Sequence, residues 1–306
     1  MRKAYLTFLT SFILSCALTP VFAQLQSDPS RAILSKYQDS LTQSAAKVFS
    51  SKSNADRFEQ NAKLIKQLVN ALKTPGSYAF SFDSLKTISV IKSPDLTFRI
   101  FSWSVPTDQG TYRFFGTIQM ATKDGKLKLY PLIDGTEQFK DDNEITTNKQ
   151  WYGARYDEIV PVITSGQKTC YVLLGWKGNT QKTSKKVIEV LSFKDDALQF
   201  GKPLFENAKN TPLKNRIVFE YNKLNSMTLR LDKKEQMIVF DHLTAFDPKM
   251  EGNFEFYASD STFDGYRLAG DKFKLTENIE PVNEPSKQDE FYTDPKLKNI
   301  PVTKKF

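Results

Sequence analysis

The sequence predicts a mainly β fold, in which an antiparallel body of many strands follows an N-terminal αα-hairpin. Two observations carry this prediction. Apolar residues recur every three or four positions up to Leu72 and every second position after Ser77, which are the periods of a helix and of a strand. Turn sequences separate most of the later apolar runs, and no helical pattern lies between them. Parallel βαβ units are therefore excluded.

Residues 1–23 have the organisation of a secretory signal peptide. A basic start, Met1–Lys3, precedes the apolar stretch Ala4–Leu18, and Ala23 ends a cleavage pattern of small and apolar residues. The stretch is shorter than the roughly 18 apolar residues of a membrane-spanning helix, and no later apolar run is that long. The sequence predicts export to the periplasm or the medium after cleavage behind Ala23. Lipidation at Cys16 is disfavoured, because the residues after it stay apolar.

Residues 24–76 contain two amphipathic stretches. The first begins at capping residues around Pro29 and carries an apolar stripe over Ile33–Val48. Polar residues 50–54 interrupt the pattern, and a second stripe covers Phe58–Leu72. We expect two antiparallel helices that pack on each other and on the sheet that follows.

Residues 77–276 form the predicted β body. The Asp124–Gly125 pair predicts a hairpin turn, and Pro161 places its strand at an edge or a bulge. Trp103 and Trp176 each end a strand before a polar turn, and a repeat of roughly 40–50 residues favours a propeller-like arrangement over a sandwich or a meander. The predicted strands are 78–82, 88–90, 98–100, 111–120, 127–132, 159–163, 170–176, 186–193, 197–200, 216–221, 226–231, 237–240, 266–268 and 272–275.

The last residues, 277–306, contain four prolines among scattered charges. Proline cannot donate to a central strand, so this segment predicts an extended arm.

Composition and charge give no catalytic signature. The 306 residues carry a net charge of +8, from 43 Lys and Arg against 35 Asp and Glu. Lys177, Lys182, Lys185 and Lys186 form the densest basic cluster without interleaved aromatic residues, so a solvated face is predicted and a nucleic-acid partner is not. No nucleotide or zinc motif is present, so no cofactor is predicted. Cys170 lies in an apolar run and is expected to be a buried hydrophobic residue.

Carboxylates and one histidine are the candidates for catalysis. Asp157 and Glu158 follow an aromatic run, and a pair of carboxylates suits a hydrolase of envelope or glycan substrates. His242 is the only histidine of the chain. Its neighbour Asp241 points to the opposite face of a strand and cannot orient the imidazole. We therefore expect a strand-end histidine that is bonded to backbone.

The leading prediction is a non-catalytic binding or envelope-accessory module. Trp103, Trp151 and Trp176 are its candidate contacts with a glycan or an envelope component, provided that their side chains are exposed. Asp260 and Asp264 are candidates for a calcium site in an adhesin-like module, although they lack the spacing of a calcium loop. The oligomeric state is left open.

Segments distributed along the chain support one family resemblance. They are the leader, the helix pair, Asp95–Trp103, Tyr171–Asn179, Lys186–Phe193 and Met237–Leu243. Together they resemble uncharacterised exported proteins of Bacteroidota-type bacteria, over most of the chain behind the leader. The resemblance implies export and no particular activity, because that family has no established activity to transfer.

Overall fold

The computed structural model describes residues 29–164, 169–194, 197–206 and 211–280. The predicted signal peptide, with Cys16, and all but the first residues of the predicted C-terminal arm lie outside the described residues. The predicted helical hairpin is present as α1 (Pro29–Ser50) and α2 (Asn54–Leu72). Ser53 caps α2, because its hydroxyl accepts a hydrogen bond from the Asp56 backbone N–H at 3.1 Å.

The described strands form three antiparallel sheets, so the mainly β prediction is confirmed. The first sheet has the order β1-β2-β3-β4, the second β5-β6-β7-β8 with β9 also paired to β7, and the third β10-β11-β12-β13. The strands are β1 (Ser89–Lys92), β2 (Phe98–Pro106), β3 (Tyr112–Met120), β4 (Leu129–Ile133), β5 (Arg155–Ile163), β6 (Thr169–Gly178), β7 (Thr183–Lys194), β8 (Ala197–Phe200), β9 (Arg216–Asn222), β10 (Leu229–Asp232), β11 (Met237–Ala245), β12 (Tyr257–Ala269) and β13 (Lys272–Ile279).

Three apolar cores join the sheets and helices into layers. The first core lies between the first and second sheets, the second between the second and third sheets, and the third between the helices and the first sheet. Strand β2 shows how one strand serves two cores. Phe98 and Ile100 face the first core, whereas Phe101 and Trp103 face the helices, because successive side chains alternate across a sheet.

A propeller-like ring is not confirmed. Consecutive sheets pack face to face, as the blades of a propeller do, but none of the described sheets closes on itself. The helices cover the face of the first sheet that lies away from the second sheet. The order of layers is therefore helices, first sheet, second sheet and third sheet.

The predicted strand 78–82 is absent, since these residues form turns and irregular chain. The strand is absent because of Arg99, whose side chain is buried on the first sheet. The Arg99 guanidinium donates to the carbonyl oxygens of Ser77 at 2.7 Å and Phe80 at 2.5 Å. These carbonyls therefore bond to a side chain and not to a neighbouring strand, and Phe82 adopts a φ of 58°.

Other local predictions agree with the structure. Pro161 lies in β5, the edge strand of the second sheet. The Asp124–Gly125 turn connects β3 and β4, and Gly125 has the positive φ of 69° that such turns require. Cys170 is a buried free cysteine. Strand β12, in contrast, is far longer than the predicted strand 266–268, and it contains irregularities that shape the candidate site.

Candidate functional site

Two of the three tryptophans lack the exposure that a contact role requires. Trp103 is 3% exposed, and its indole N–H donates to the Asn61 side-chain oxygen at 2.8 Å. Trp151 is fully buried and donates to the Tyr156 hydroxyl at 2.8 Å. Trp176 is half-buried. The first two tryptophans therefore stabilise cores, because a buried indole satisfies its N–H within the protein.

The carboxylates of Asp157 and Glu158 are bound to different groups. A bulge in β5 falls between Tyr156 and Glu158, opposite β6. Asp157 is half-exposed and forms an ion pair with Arg155 at 3.1 Å. Glu158 accepts a hydrogen bond from the Leu231 backbone N–H at 2.9 Å. This contact satisfies a backbone N–H of β10, the edge strand of the third sheet. The role of Glu158 is therefore structural.

His242 is oriented by a carboxylate from the neighbouring strand. The Nδ1 atom of His242 in β11 lies 2.8 Å from Oδ2 of Asp264 in β12. The other oxygen of Asp264 accepts a hydrogen bond from the Asn278 backbone N–H, near the end of β13, at 3.0 Å. The expectation of a histidine bonded to backbone is corrected, since a side chain 22 residues further along the chain is the partner.

Two irregularities in the sheet produce this pairing. Between β11 and β12 the register shifts, so that three residues, 260–262, lie opposite His242. Within them, Asp260 accepts hydrogen bonds from the Thr262 N–H at 2.9 Å and its hydroxyl at 2.7 Å, which closes a local turn. Ser261 has a φ of 72°. Such bulges bend a strand and redirect its side chains.

The second irregularity lies between β12 and β13, where the register shifts after Phe263. Asn278 has a φ of 54°, in the left-handed region that asparagine tolerates better than most residues. Its N–H then points at Asp264. Two left-handed residues other than glycine therefore flank one buried carboxylate, and strained backbone of this kind is concentrated at functional sites.

The carboxylates around His242 stabilise its charged form. The hydrogen bond with Asp264 raises the pKa of His242 above its ordinary value of 6.5, and the charges of Asp264, Asp260 and Glu277 raise it further, against the effect of burial. The imidazole is still 45% exposed. His242 is therefore a cation at slightly acidic pH that faces three carboxylates and water.

The calcium candidates are not brought together as metal ligands. Asp264 is bound to His242, and Asp260 is bound to Thr262. In the described ranges, no group of three or more His, Cys, Asp or Glu side chains could hold a metal ion. The structure thus gives the two aspartates a role in holding the bulges.

The irregular strands also border an open groove of about 660 Å³ on the other face of the third sheet. Asp264 pairs with Phe240 of the second core, whereas Phe263 pairs with Asp241. Because side chains alternate, Phe263 points to the outer face and His242 and Asp264 to the core side. The groove offers hydroxyl, amide, guanidinium and carboxylate groups beside two apolar side chains; it is lined by Thr228, Arg230, Ser261, Thr262, Phe263, Asn278, Ile279 and Glu280.

A second cluster of charges is closed to solvent within the first core. Glu189 and Arg216 form an ion pair in which both side chains are fully buried. Glu189 accepts a hydrogen bond from the Tyr156 hydroxyl and another from Arg216 Nε, the latter at 2.6 Å. Lys177 is also buried, which corrects the prediction of a solvated face for this residue. Its burial lowers its pKa to about 8. No ligand can reach these side chains without opening the core, so their role is structural.

Sequence reasoning missed the residues of the groove and the partner of His242. Arg230 of β10, Phe263 of β12 and Asn278 of β13 come from separate strands, and no local sequence pattern links them. The available signal was the turn-forming Asp260 in the middle of a β pattern, which indicates an irregular strand. Alternation alone ruled out Asp241 and could not identify Asp264.

Within the described part of the chain, no helix has the length and apolar character needed to span a membrane. Comparison with known proteins identified no family model, no curated protein and no solved structure that matches this chain. The similarity to exported proteins of Bacteroidota-type bacteria stays a prediction, and the chemistry of the groove is the basis for assigning a function.

Proposed function

We propose that this chain is an exported, non-catalytic binding module whose outer groove on the third sheet holds a short polyhydroxylated ligand, such as a segment of an envelope glycan. The single observation that supports this function is the composition of the groove. Its lining combines Thr228, Ser261, Thr262 and Asn278, which carry hydroxyl and amide groups, with the apolar Phe263 and Ile279. A lining that offers donors and acceptors beside apolar side chains suits a ligand that is apolar on its ring faces and polar at its edges.

Arg230 gives the groove a cationic hydrogen-bond donor. Its guanidinium is partly exposed and lies 3.9 Å from Asp232, so the ion pair between them is loose. Planar guanidinium groups can donate two parallel hydrogen bonds to one ligand. The signal-peptide pattern of residues 1–23 supports the exported location in which such glycans occur.

The test is glycan binding by the chain from Gln24 onward, on a glycan array and with soluble peptidoglycan fragments. Arg230→Ala and Phe263→Ala should each weaken binding by about tenfold or more, since each removes a contact from the groove. Arg267→Ala is the matched control. Arg267 also lies in the third sheet and its side chain is 48% exposed, but it pairs with Glu235 outside the groove.

The same samples test the alternative, a hydrolase that uses Asp157 and Glu158. Under the binding proposal the glycan is recovered intact, and Asp157→Asn and Glu158→Gln bind as the wild type does. Release of new reducing ends by the wild type, lost in these two variants, would replace the binding module with the hydrolase. Binding that survives both Arg230→Ala and Phe263→Ala would place the ligand elsewhere.

A further inference from the structure

We propose that His242 is a proton-controlled clamp that sets the shape of the groove on the opposite face of the third sheet. In its charged form the imidazolium holds Asp264 against the backbone of β13 and so fixes both irregular segments. The proposal rests on the proposed function only for the identity of what the groove holds.

The first support is connectivity. One carboxylate joins three strands, because Asp264 Oδ2 contacts His242 of β11 and Asp264 Oδ1 accepts the Asn278 N–H near the end of β13 at 3.0 Å. Asp264 itself belongs to β12 and is 6% exposed. A neutral imidazole can still donate its Nδ1–H to Asp264, but the buried carboxylate then loses the positive charge that stabilises it.

The second support is the charge around the imidazole. Asp264 and Asp260 act on it from β12, and Glu277 acts on it from β13. Asp241, its neighbour in β11, accepts the Thr228 N–H at 2.9 Å on the other face. Loss of the proton removes the positive charge on which the carboxylates of Asp264, Asp260 and Glu277 all act. Their mutual repulsion then favours opening of the two irregular segments.

The third support is that the two irregular segments contact Asp264 or lie beside it and also line the groove. Ser261 and Asn278 hold left-handed backbone conformations, which persist only where neighbouring contacts compensate for the strain. The same two residues, together with Thr262, line the groove. A contact that relaxes these segments on the core side of the sheet therefore moves groove atoms on the outer side.

Nuclear magnetic resonance can test the clamp without any ligand. His242 is the only histidine, so its imidazole protons need no assignment. We expect the backbone amides of Ser261, Thr262 and Asn278 to shift between about pH 5 and about pH 9 with the same midpoint as the imidazole. The Arg267 amide, further along β12, is the internal control and should not follow that midpoint.

Two variants make the result decisive. His242→Gln, at a partly exposed position, keeps a donor for Asp264 without a titrating charge, so the common midpoint should vanish. At about pH 6, hydrogen exchange of the Asn278 amide should become about tenfold faster in this variant, because a charge-assisted contact is lost. Asp264→Asn should lower the pKa of His242, and circular dichroism verifies that each variant is folded.

The clamp is overturned if the groove amides titrate independently of His242, or if His242→Gln leaves both their titration and the exchange of Asn278 unchanged. These outcomes are separate from glycan binding. A chain that binds no glycan but shows the common midpoint has the clamp and a different ligand. A chain that binds glycan without the common midpoint has the groove and no clamp.

Discussion

Glu189 and Arg216 show how single residues hold the first core together. Both side chains are fully buried, and Glu189 also accepts the Tyr156 hydroxyl, which in turn accepts the Trp151 N–H. Burial of Tyr156, together with the charge of Glu189 and the hydrogen bond to it, raises the pKa of Tyr156 well above the usual value, so this hydroxyl remains a donor. Removal of one charge leaves its partner buried without compensation, which costs far more than the pair contributes.

We therefore expect Glu189→Gln to lower the free energy of unfolding by about 3–5 kcal/mol, because it leaves the Arg216 charge unpaired. Urea unfolding followed by fluorescence measures this value. Glu59→Gln is the matched control, since Glu59 pairs with Lys63 on the surface of α2, and its cost should stay within about 0.5 kcal/mol. Equal costs for the two variants would contradict a coupled pair in the core. Arg216→Met in the Glu189→Gln background should recover part of the loss.

The His242–Asp264 pair makes stability depend on pH. The pKa of His242 is raised in the folded state, so the pair contributes fully below the unfolded pKa of about 6.5 and loses its contribution as pH rises through the folded pKa. His242→Gln should therefore cost stability at about pH 6 and much less at about pH 9, with a difference below about 1 kcal/mol because the imidazole is half-exposed. Thermal unfolding at both pH values checks this. A difference of the opposite sign would contradict the pairing.

At the scale of elements, the helical hairpin is fixed to the first sheet by one buried hydrogen bond. The Trp103 indole of β2 donates to the Asn61 side chain of α2, and both residues are buried where the helix meets the sheet. In the first turn of α2, next to the loop between the two helices, Arg57 forms an ion pair at 2.5 Å with Asp108 in the turn after β2. The helices therefore dock by specific contacts as well as by apolar burial.

Trp103→Phe should lower the free energy of unfolding by about 1–3 kcal/mol, because the buried Asn61 amide oxygen loses its donor. Adding Asn61→Leu to that variant should restore a large part of the loss, since the unpaired polar group is then removed. Denaturant unfolding of the two single variants and the double variant forms the cycle that measures the coupling. Strictly additive effects would contradict a direct contact between the two side chains.

The elements that sequence patterns predicted are those whose cause is local. The stripe of α1 and the Asp-Gly turn before β4 are determined by neighbours in the chain. The failures have distant causes. Arg99 binds the carbonyl oxygens of Ser77 and Phe80 at the segment 78–82. The partner of His242 can be identified only when the register shift of β12 is known. The groove residues could not be predicted, because three separate strands bring them together.

At the scale of the whole molecule, each inner sheet contributes to two cores. The first sheet faces both the helices and the second sheet, and the second sheet faces both the first and the third. Loss of one core exposes an apolar face of a sheet that another core also needs. The layers are therefore expected to unfold together.

Calorimetry should show one transition, and variants in different cores should shift it alike. Leu64→Ala in the third core and Phe205→Ala in the second core remove buried apolar volume, so each should cost about 2–5 kcal/mol. Lys36→Ala, on the exposed side of α1, is the control and should leave the transition nearly unchanged. An early transition that only Leu64→Ala moves would show that the helices unfold independently.

The order of the layers also determines how the protein should be presented to a ligand. The described chain begins with α1 in the helical layer and ends just beyond β13 in the third sheet, with the first and second sheets between them. If the protein is immobilised through a biotin placed ahead of Pro29, the support is joined to the helical layer. In the order of layers, this layer is the most distant from the groove. Glu280 lines the groove, so immobilisation through a position just behind it would place the support beside the groove and hinder the entry of a ligand.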